Sequence, residues 1–290
     1  MTNALFRILL LGSAFGLGLM PVAGFGDPAI IPELVTVPAG VRPYRASGEY
    51  LKDGRAVDAP MIRITLADPL EIMKYQVSAG DYALCVADSA CDAALRSRAV
   101  GKDLPVTGVS FKDATDYAKW FGRKTGYSWR LPSDEEWAVA AGSRFVDDAL
   151  GGGDPDPENP SQRWLLKYRK YNDPDFQTSS ELLARGSFGA NENGIYDMSA
   201  NVWEWTSSCY VRSTMDESGG TVPNGKPNCG VRIAEGQHRA YITFFVKDAK
   251  GGGCSVGAPP DYLGFRLVRD TPHAMSIGGI RSWWRAKLQD

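Results

Sequence analysis

Two stretches gather the residue types able to do chemistry. The first, Asn193 to Thr206, sets Asp197, Asn201 and Glu204 among Tyr196, Trp203 and Trp205 around an Asn193-Gly194 turn. Polar groups buried among rings need hydrogen-bond partners or a bound cation, so this run reads as a core loop and polar knot tying distant segments together. The second, Glu235 to Arg266, carries Glu235, His238, Arg239, Tyr241, Cys254 and Arg266. His238 and Cys254 together can form a soft metal site or an acid–base and thiol pair, and equally they read as packing residues in separate loops. Arg266 fits a buried ion pair or a pocket wall.

The elements that position these groups announce themselves locally. Leu34 to Gly40 reads as a strand and turn, and Met61 to Leu66 alternates as a second strand. Ser78 with Asp81, Ser110 with Asp113 and Ser133 with Glu136 each set a hydroxyl three residues ahead of a carboxylate, the capping-box spacing that starts a helix. The second helix buries Ala114, Tyr117, Ala118, Trp120 and Phe121 and stops at Gly126; the third buries Trp137, Ala140 and Ala141 and stops at Gly142. No catalytic spacing falls on these helices, which read as scaffold. Residues 143–180 are too rich in Gly, Asp and Pro for regular structure, with Trp164, Leu165 and Leu166 expected to anchor one turn.

The chain has 290 residues, a net charge of −2 and a hydrophobic content of 43%, which excludes a nucleic-acid or anionic-membrane partner chosen by charge. Residues 1–26 hold Arg7, the apolar run Ile8 to Met20, then Pro21. That run is shorter than the roughly 18–20 residues of a membrane span, and predicts a secretory signal peptide, with an uncleaved anchor as the alternative. A soluble periplasmic domain over 27–270 and a tail over 271–290 follow, the tail bearing Trp283 and Trp284 as a helix docked on its own domain. Five cysteines in an exported chain predict disulfides with one thiol left over. Cys85 and Cys91 bracket a short turn; Cys209 and Cys229 flank a Gly/Pro/Asn-rich stretch.

In "NGIYDMSANVWEWTSSCY" the chain resembles the N-x-x-G-L-x-D-M-x-G-N-V-W-E-W-T segment of the formylglycine-generating-enzyme family, also called sulfatase-modifying-factor domains. "IMKYQVSAGDYALCV" resembles the family's K-Y-E-V-T-N-x-x-Y-x-x-F; "PVTGVSF" through "RLPSDEEWAVAAG", and the closing "LGFRLVRD", follow in the family's order. The resemblance implies an α+β, C-type-lectin-like fold, loop-rich, with short mixed and antiparallel sheets and a few helices. It also implies disulfides at Cys85–Cys91 and Cys209–Cys229, and a structural calcium held by the carbonyls of Ser199, Ala200 and Val202 with the Glu204 carboxylate. Ser199-Ala200 stands where the family has a glycine before the Asn. The family's enzymes oxidise a substrate cysteine with copper held by a C-x4-C thiolate pair, a soft set suited to Cu(I). This chain has no such pair, only Cys254, and Glu235-Gly236-Gln237-His238-Arg239 replaces R-G-G-S-W.

Formylglycine generation is therefore not expected, and copper has no thiolate pair to hold it. Any chemistry is expected around Glu235, His238, Arg239 and Cys254, in the region of the family's cleft. The segment from Glu235 to Gly264 resembles the branch associated with copper nitrite reductases, which implies an accessory or maturation factor for a periplasmic redox enzyme. Two other readings stay open: an altered-site periplasmic oxidoreductase acting on a small molecule or peptide, like the branch that matures pyoverdine, and a C-type-lectin-like binding module.

Overall fold

The computed structural model describes residues 31–95, 101–146, 181–216, 221–223, 227–247 and 262–270, with the single positions 149, 162, 165, 166 and 169. In chain order the elements are β1 (Leu34–Val37), β2 (Gly40–Arg45), β3 (Glu49–Lys52), β4 (Arg55–Val57), β5 (Met61–Leu66), β6 (Leu70–Met73), α1 (Ala79–Ala87), α2 (Phe111–Thr125), β7 (Trp129–Arg130) and α3 (Asp134–Ala141). They continue as β8 (Trp203–Tyr210), β9 (Arg212–Met215), β10 (Thr221–Pro223), β11 (Asn228–Glu235), β12 (Ala240–Thr243), β13 (Leu263–Gly264) and β14 (Val268–Arg269).

Helices α1, α2 and α3 start at the capping boxes the sequence predicts. Ser78 Oγ accepts from the Asp81 amide at 2.9 Å, Ser110 Oγ from Asp113 at 3.2 Å and Ser133 Oγ from Glu136 at 3.1 Å. Each side-chain cap is worth about 1 kcal/mol. Gly126 ends α2 at φ 75°, a left-handed conformation that glycine enters without a Cβ penalty.

Short sheets surround these helices in the orders β1-β6-β14-β7, β10-β9-β3-β4 and β12-β11-β8-β13, with β2 and β5 as a separate pair. Most pairings are antiparallel, while β3–β9 and β8–β13 are parallel. The result is an α+β fold of small mixed sheets.

Strand β8 carries the core. Successive strand side chains face opposite ways, so Trp203 and Trp205 enter one apolar cluster with Tyr117, Phe121 and Phe265. Glu204 between them turns to Trp137, which centres a second cluster with Ile72, Ile195 and Met198. The expected core loop thus ends at Val202, and from Trp203 the segment is strand, since hydrogen bonding to β11 and β13 outranks the missing local period.

Both expected disulfides form. Cys85–Cys91 closes the end of α1, and Cys209–Cys229 ties β8 to β11. Leu165 and Leu166 are helical but exposed, so these two side chains do not anchor the turn they were expected to anchor. The signal peptide, most of 143–180, Cys254 and the tail lie outside the described residues.

Candidate functional site

Between Asp197 and Asn201 three non-glycine residues sit in the left-handed region: Asp197 at φ 59°, Ser199 at 58° and Asn201 at 65°. Such conformations cost about 1–2 kcal/mol each and persist where surroundings impose them. Each side chain here reaches a different segment. The Asp197 carboxylate accepts from the Gly186 amide at 2.5 Å and the Phe188 amide at 2.9 Å; Ser199 Oγ donates to the Arg144 carbonyl; Asn201 Oδ1 accepts from Leu183 N at 3.1 Å while its Nδ2 donates to Leu183 O at 2.9 Å. This is the polar knot the sequence points to.

Glu204, 1% exposed, lies at the knot's floor. Its Oε2 accepts from Arg266 Nε at 2.6 Å and Trp137 Nε1 at 3.0 Å; its Oε1 accepts from Arg266 Nη2 at 2.7 Å and Gln76 Nε2 at 2.9 Å. A carboxylate offers about four lone-pair positions, and four donors take them here. The same Gln76 Nε2 lies 3.4 Å from both the Asp197 and Ala200 carbonyls, so an amide nitrogen stands where these oxygens converge. The calcium set expected from Ser199, Ala200, Val202 and Glu204 does not fit this arrangement: Glu204 is already charge-paired and Ala200 O already accepts from Val202 N at 2.8 Å.

The second stretch divides. Glu235, at the end of β11, and Arg239 are buried with Asp134 from the start of α3 and Tyr44 from β2. Arg239 Nε donates to Glu235 Oε1 at 2.7 Å, and its Nη2 lies 3.5 Å from Asp134 Oδ2, to which the Tyr44 hydroxyl also donates. The guanidinium lies over the Tyr44 and Phe145 rings at 5.4 and 5.6 Å, a favourable cation–π arrangement.

Two carboxyls thus face one guanidinium. Burial pushes Glu235 well above the usual carboxylate range; Arg239 opposes this, and the neighbouring Asp134 carboxylate adds to it. Burial would raise Asp134 too, but Arg239 and the hydrogen bonds from Glu235 and Tyr44 outweigh it and hold Asp134 below its ordinary value. Asp134 Oδ1 and Glu235 Oε2 meet no donor among the described residues, and the two carboxyls are near enough to act on each other. A proton kept on Glu235 satisfies both oxygens.

His238 does not join this cluster. Its Nδ1 lies 3.1 Å from the Arg239 carbonyl, placing the proton on Nδ1, and its ring packs edge-on to Trp203 at 5.2 Å. Trp203 Nε1 donates to the His238 carbonyl at 2.9 Å. Gly236 permits this approach, because a Cβ there would meet the Trp203 ring at 2.7 Å. The Tyr241 hydroxyl accepts from the Gly48 amide at 2.7 Å. Of the four residues expected to hold the chemistry, Glu235 and Arg239 form a sealed ion cluster, His238 packs on Trp203, and Cys254 lies outside the described residues. Glu235 and Arg239 are 1% and 3% exposed. Sequence reading missed Asp134, Tyr44 and Gln76, and read Trp137 as core without its bond to Glu204. A capping-box neighbour, a strand tyrosine and a glutamine at the family's K-Y-E-V position carry no local sign of partners far along the chain.

The sulfatase-modifying factor enzyme 1-like domain model matches residues 25–271. The inactive Cα-formylglycine-generating enzyme 2 of Mus musculus is 32% identical over 167 residues, covering 57% of this chain and 49% of that protein. The formylglycine-generating enzyme of Streptomyces coelicolor is 28% identical over 174 residues, covering 57% of this chain and 52% of that protein. The chain spans about half the length of these curated relatives. Among solved structures, PvdO from Pseudomonas aeruginosa superposes with a TM-score of 0.54 at 22% identity, covering 88% of this chain and all of that one, a likeness of fold. With the described elements in the order of the family's motifs and a family match running from residue 25 to residue 271, the chain belongs to the sulfatase-modifying-factor family, whose members include the formylglycine-generating enzymes.

Proposed function

We propose that this protein is an exported accessory factor that matures a periplasmic redox enzyme, of the copper nitrite reductase class, and that it does not make formylglycine. The observation that carries the second half is the cysteine ledger: two disulfides engage four of the five cysteines, leaving Cys254 as the one thiol. Copper oxidation of a cysteine, as the family resemblance implies it, needs two thiolates on the metal. The burial of Glu235 and Arg239, 1% and 3% exposed, supports the same reading. Two disulfides fit an oxidising compartment. The assignment to nitrite reductase rests on the resemblance of Glu235 to Gly264 to that branch.

The test has two arms. Purified protein incubated with a Cys-x-Pro-x-Arg peptide, copper and oxygen should give no aldehyde by mass spectrometry; aldehyde formed by the wild type and lost in Cys254→Ala would overturn the reading. A strain lacking this protein should yield nitrite reductase of reduced copper content and activity, restored by the wild-type chain. Full copper content without it would contradict the accessory role.

A further inference from the structure

Strand β5 pairs with β2 alone, in an antiparallel register that sets Tyr44 against Ile62, Pro43 against Arg63 and Val41 against Thr65. Opposed residues in such a ladder alternate between bonded pairs, which exchange N–H and C=O across the strands, and unbonded pairs, which point those groups outward. The Ala46 amide donates to the Pro60 carbonyl at 3.1 Å one step beyond the ladder, and this bond fixes the alternation. Counting from it, Tyr44–Ile62, Arg42–Ile64 and Gly40–Leu66 are the bonded pairs, and Pro43, which has no N–H to give, falls in an unbonded one. Arg63 and Thr65 therefore turn their N–H and C=O groups away from β2, where no strand meets them among the described residues.

That edge opens on a groove of about 750 Å³. Ile64, Thr65 and Leu66 line it in succession, together with Leu70 from β6 and Glu135 and Val139 from α3, and none of the residues of β2 does. Side chains alternate along a strand, and Ile64 and Leu66 pack on the cluster around Trp137, so Thr65 belongs to the other face. A wall made of both faces on the side away from β2 is the strand's outer edge. N–H and C=O groups repeating at alternate residues match the backbone of another strand, and a small ligand does not fill such a row. The charges in the groove favour a basic side chain on that strand. Arg130 is taken by Glu136 and Asp270, and Arg269 by Glu71, whereas Glu135 pairs with no cation among the described residues. Partial burial, then Asp134 and Glu136, push the Glu135 carboxyl up, and no neighbouring cation pulls it down. We infer that the groove beside β5 takes an extended segment of a partner protein as an added strand, with an apolar side chain over Leu66, Leu70 and Val139 and a lysine or arginine two residues away at Glu135.

This surface is independent of the maturation role and is tested without it. The probe is a capped, fluorescein-labelled peptide, Ser-Val-Thr-Lys-Thr-Ser, titrated against the full chain by fluorescence anisotropy, and it should bind saturably at one site per chain. Strand addition uses the main chain of alternate residues, so N-methylation of one alternate set should weaken binding about tenfold while methylation of the other set costs less. Thr65→Pro removes an outward N–H and sets a ring on the edge; because that N–H takes no part in the β2 pairing, binding should be lost while the melting temperature holds. Glu135→Gln, at an exposed position, should weaken the lysine peptide about threefold and leave a norleucine version unchanged. No saturable binding to the wild type, equal loss from the two methylated sets, or undiminished binding by Thr65→Pro would each overturn the inference. A wild-type dimer in sedimentation that Thr65→Pro dissociates would give the edge to a second copy of this chain and overturn it as well.

Discussion

Two buried ion clusters are built on residues paired across β8 and β11, Glu204 and Glu235, and differ in one respect. Around Glu204, one carboxylate meets one guanidinium, Arg266, and the remaining lone pairs meet Trp137 and Gln76. Around Arg239, one guanidinium meets two carboxyls, Glu235 and Asp134. The first cluster is neutral and closed without a proton; the second is neutral only if one carboxyl stays protonated. Removing both members of a buried pair is often tolerated, whereas removing one leaves an uncompensated charge. The pairing within each cluster therefore predicts how each responds to mutation and to pH.

The largest effect should come from opening the closed cluster. Arg266→Met leaves Glu204 ionised and 1% exposed, and should cost about 3–5 kcal/mol in urea unfolding. Adding Glu204→Gln should return part of that loss. Arg239→Met should cost less, because Tyr44 and the Glu235 proton still serve Asp134. Equal losses for the two arginines would show that the clusters do not differ as described.

The pH response sharpens the contrast. Glu235 has a folded pKa raised by burial and by Asp134, so its contribution is complete below the ordinary carboxylate range and is lost as pH rises toward the folded value. Asp134 is held down by Arg239 against its burial, so its contribution is present above its unfolded pKa and is lost as pH falls through the folded one. Glu235→Gln keeps a donor for Asp134 and an acceptor for Arg239 without a titrating proton. The variant should match the wild type near pH 5 and exceed it near pH 8, by about 1.4 kcal/mol for each unit of raised pKa. Melting curves that stay parallel across that range would remove the proton from the account.

The smallest effect concerns calcium. With four donors already on Glu204, millimolar calcium or a chelator should leave the melting temperature unchanged, and Glu204→Gln should not alter that indifference. A calcium-dependent rise would mean that Gln76 turns its oxygen toward the Asp197 and Ala200 carbonyls and builds a cation cage. A ligand at a hundredfold excess over its dissociation constant adds about 2.7 kcal/mol, so the shift would be plain.

What the sequence reveals follows the range of the interaction. The helix starts were legible because Ser78, Ser110 and Ser133 meet partners three residues away, and the disulfides because each pair closes a turn or loop. The knot was legible as a knot because three polar residues stand among rings, although its strand half, from Trp203, depends on β11 and β13. The cluster of Glu235 with Arg239 was legible only in part. Two charges in one loop show nothing of the groups that join them, Asp134 and Tyr44, which lie far along the chain in α3 and β2. Gln76 gave no local signal, since its partners Glu204 and Arg185 lie across the fold.

The central claim, that one thiol remains and the two-thiolate copper route is closed, is tested most directly by counting thiols. Purified protein, unfolded without reduction, should react with one equivalent of a maleimide, and peptide mapping should place the label on Cys254 with Cys85–Cys91 and Cys209–Cys229 intact. Three labelled thiols, with Cys254 and Cys229 both among them, would give the chain a second thiolate and contradict the account.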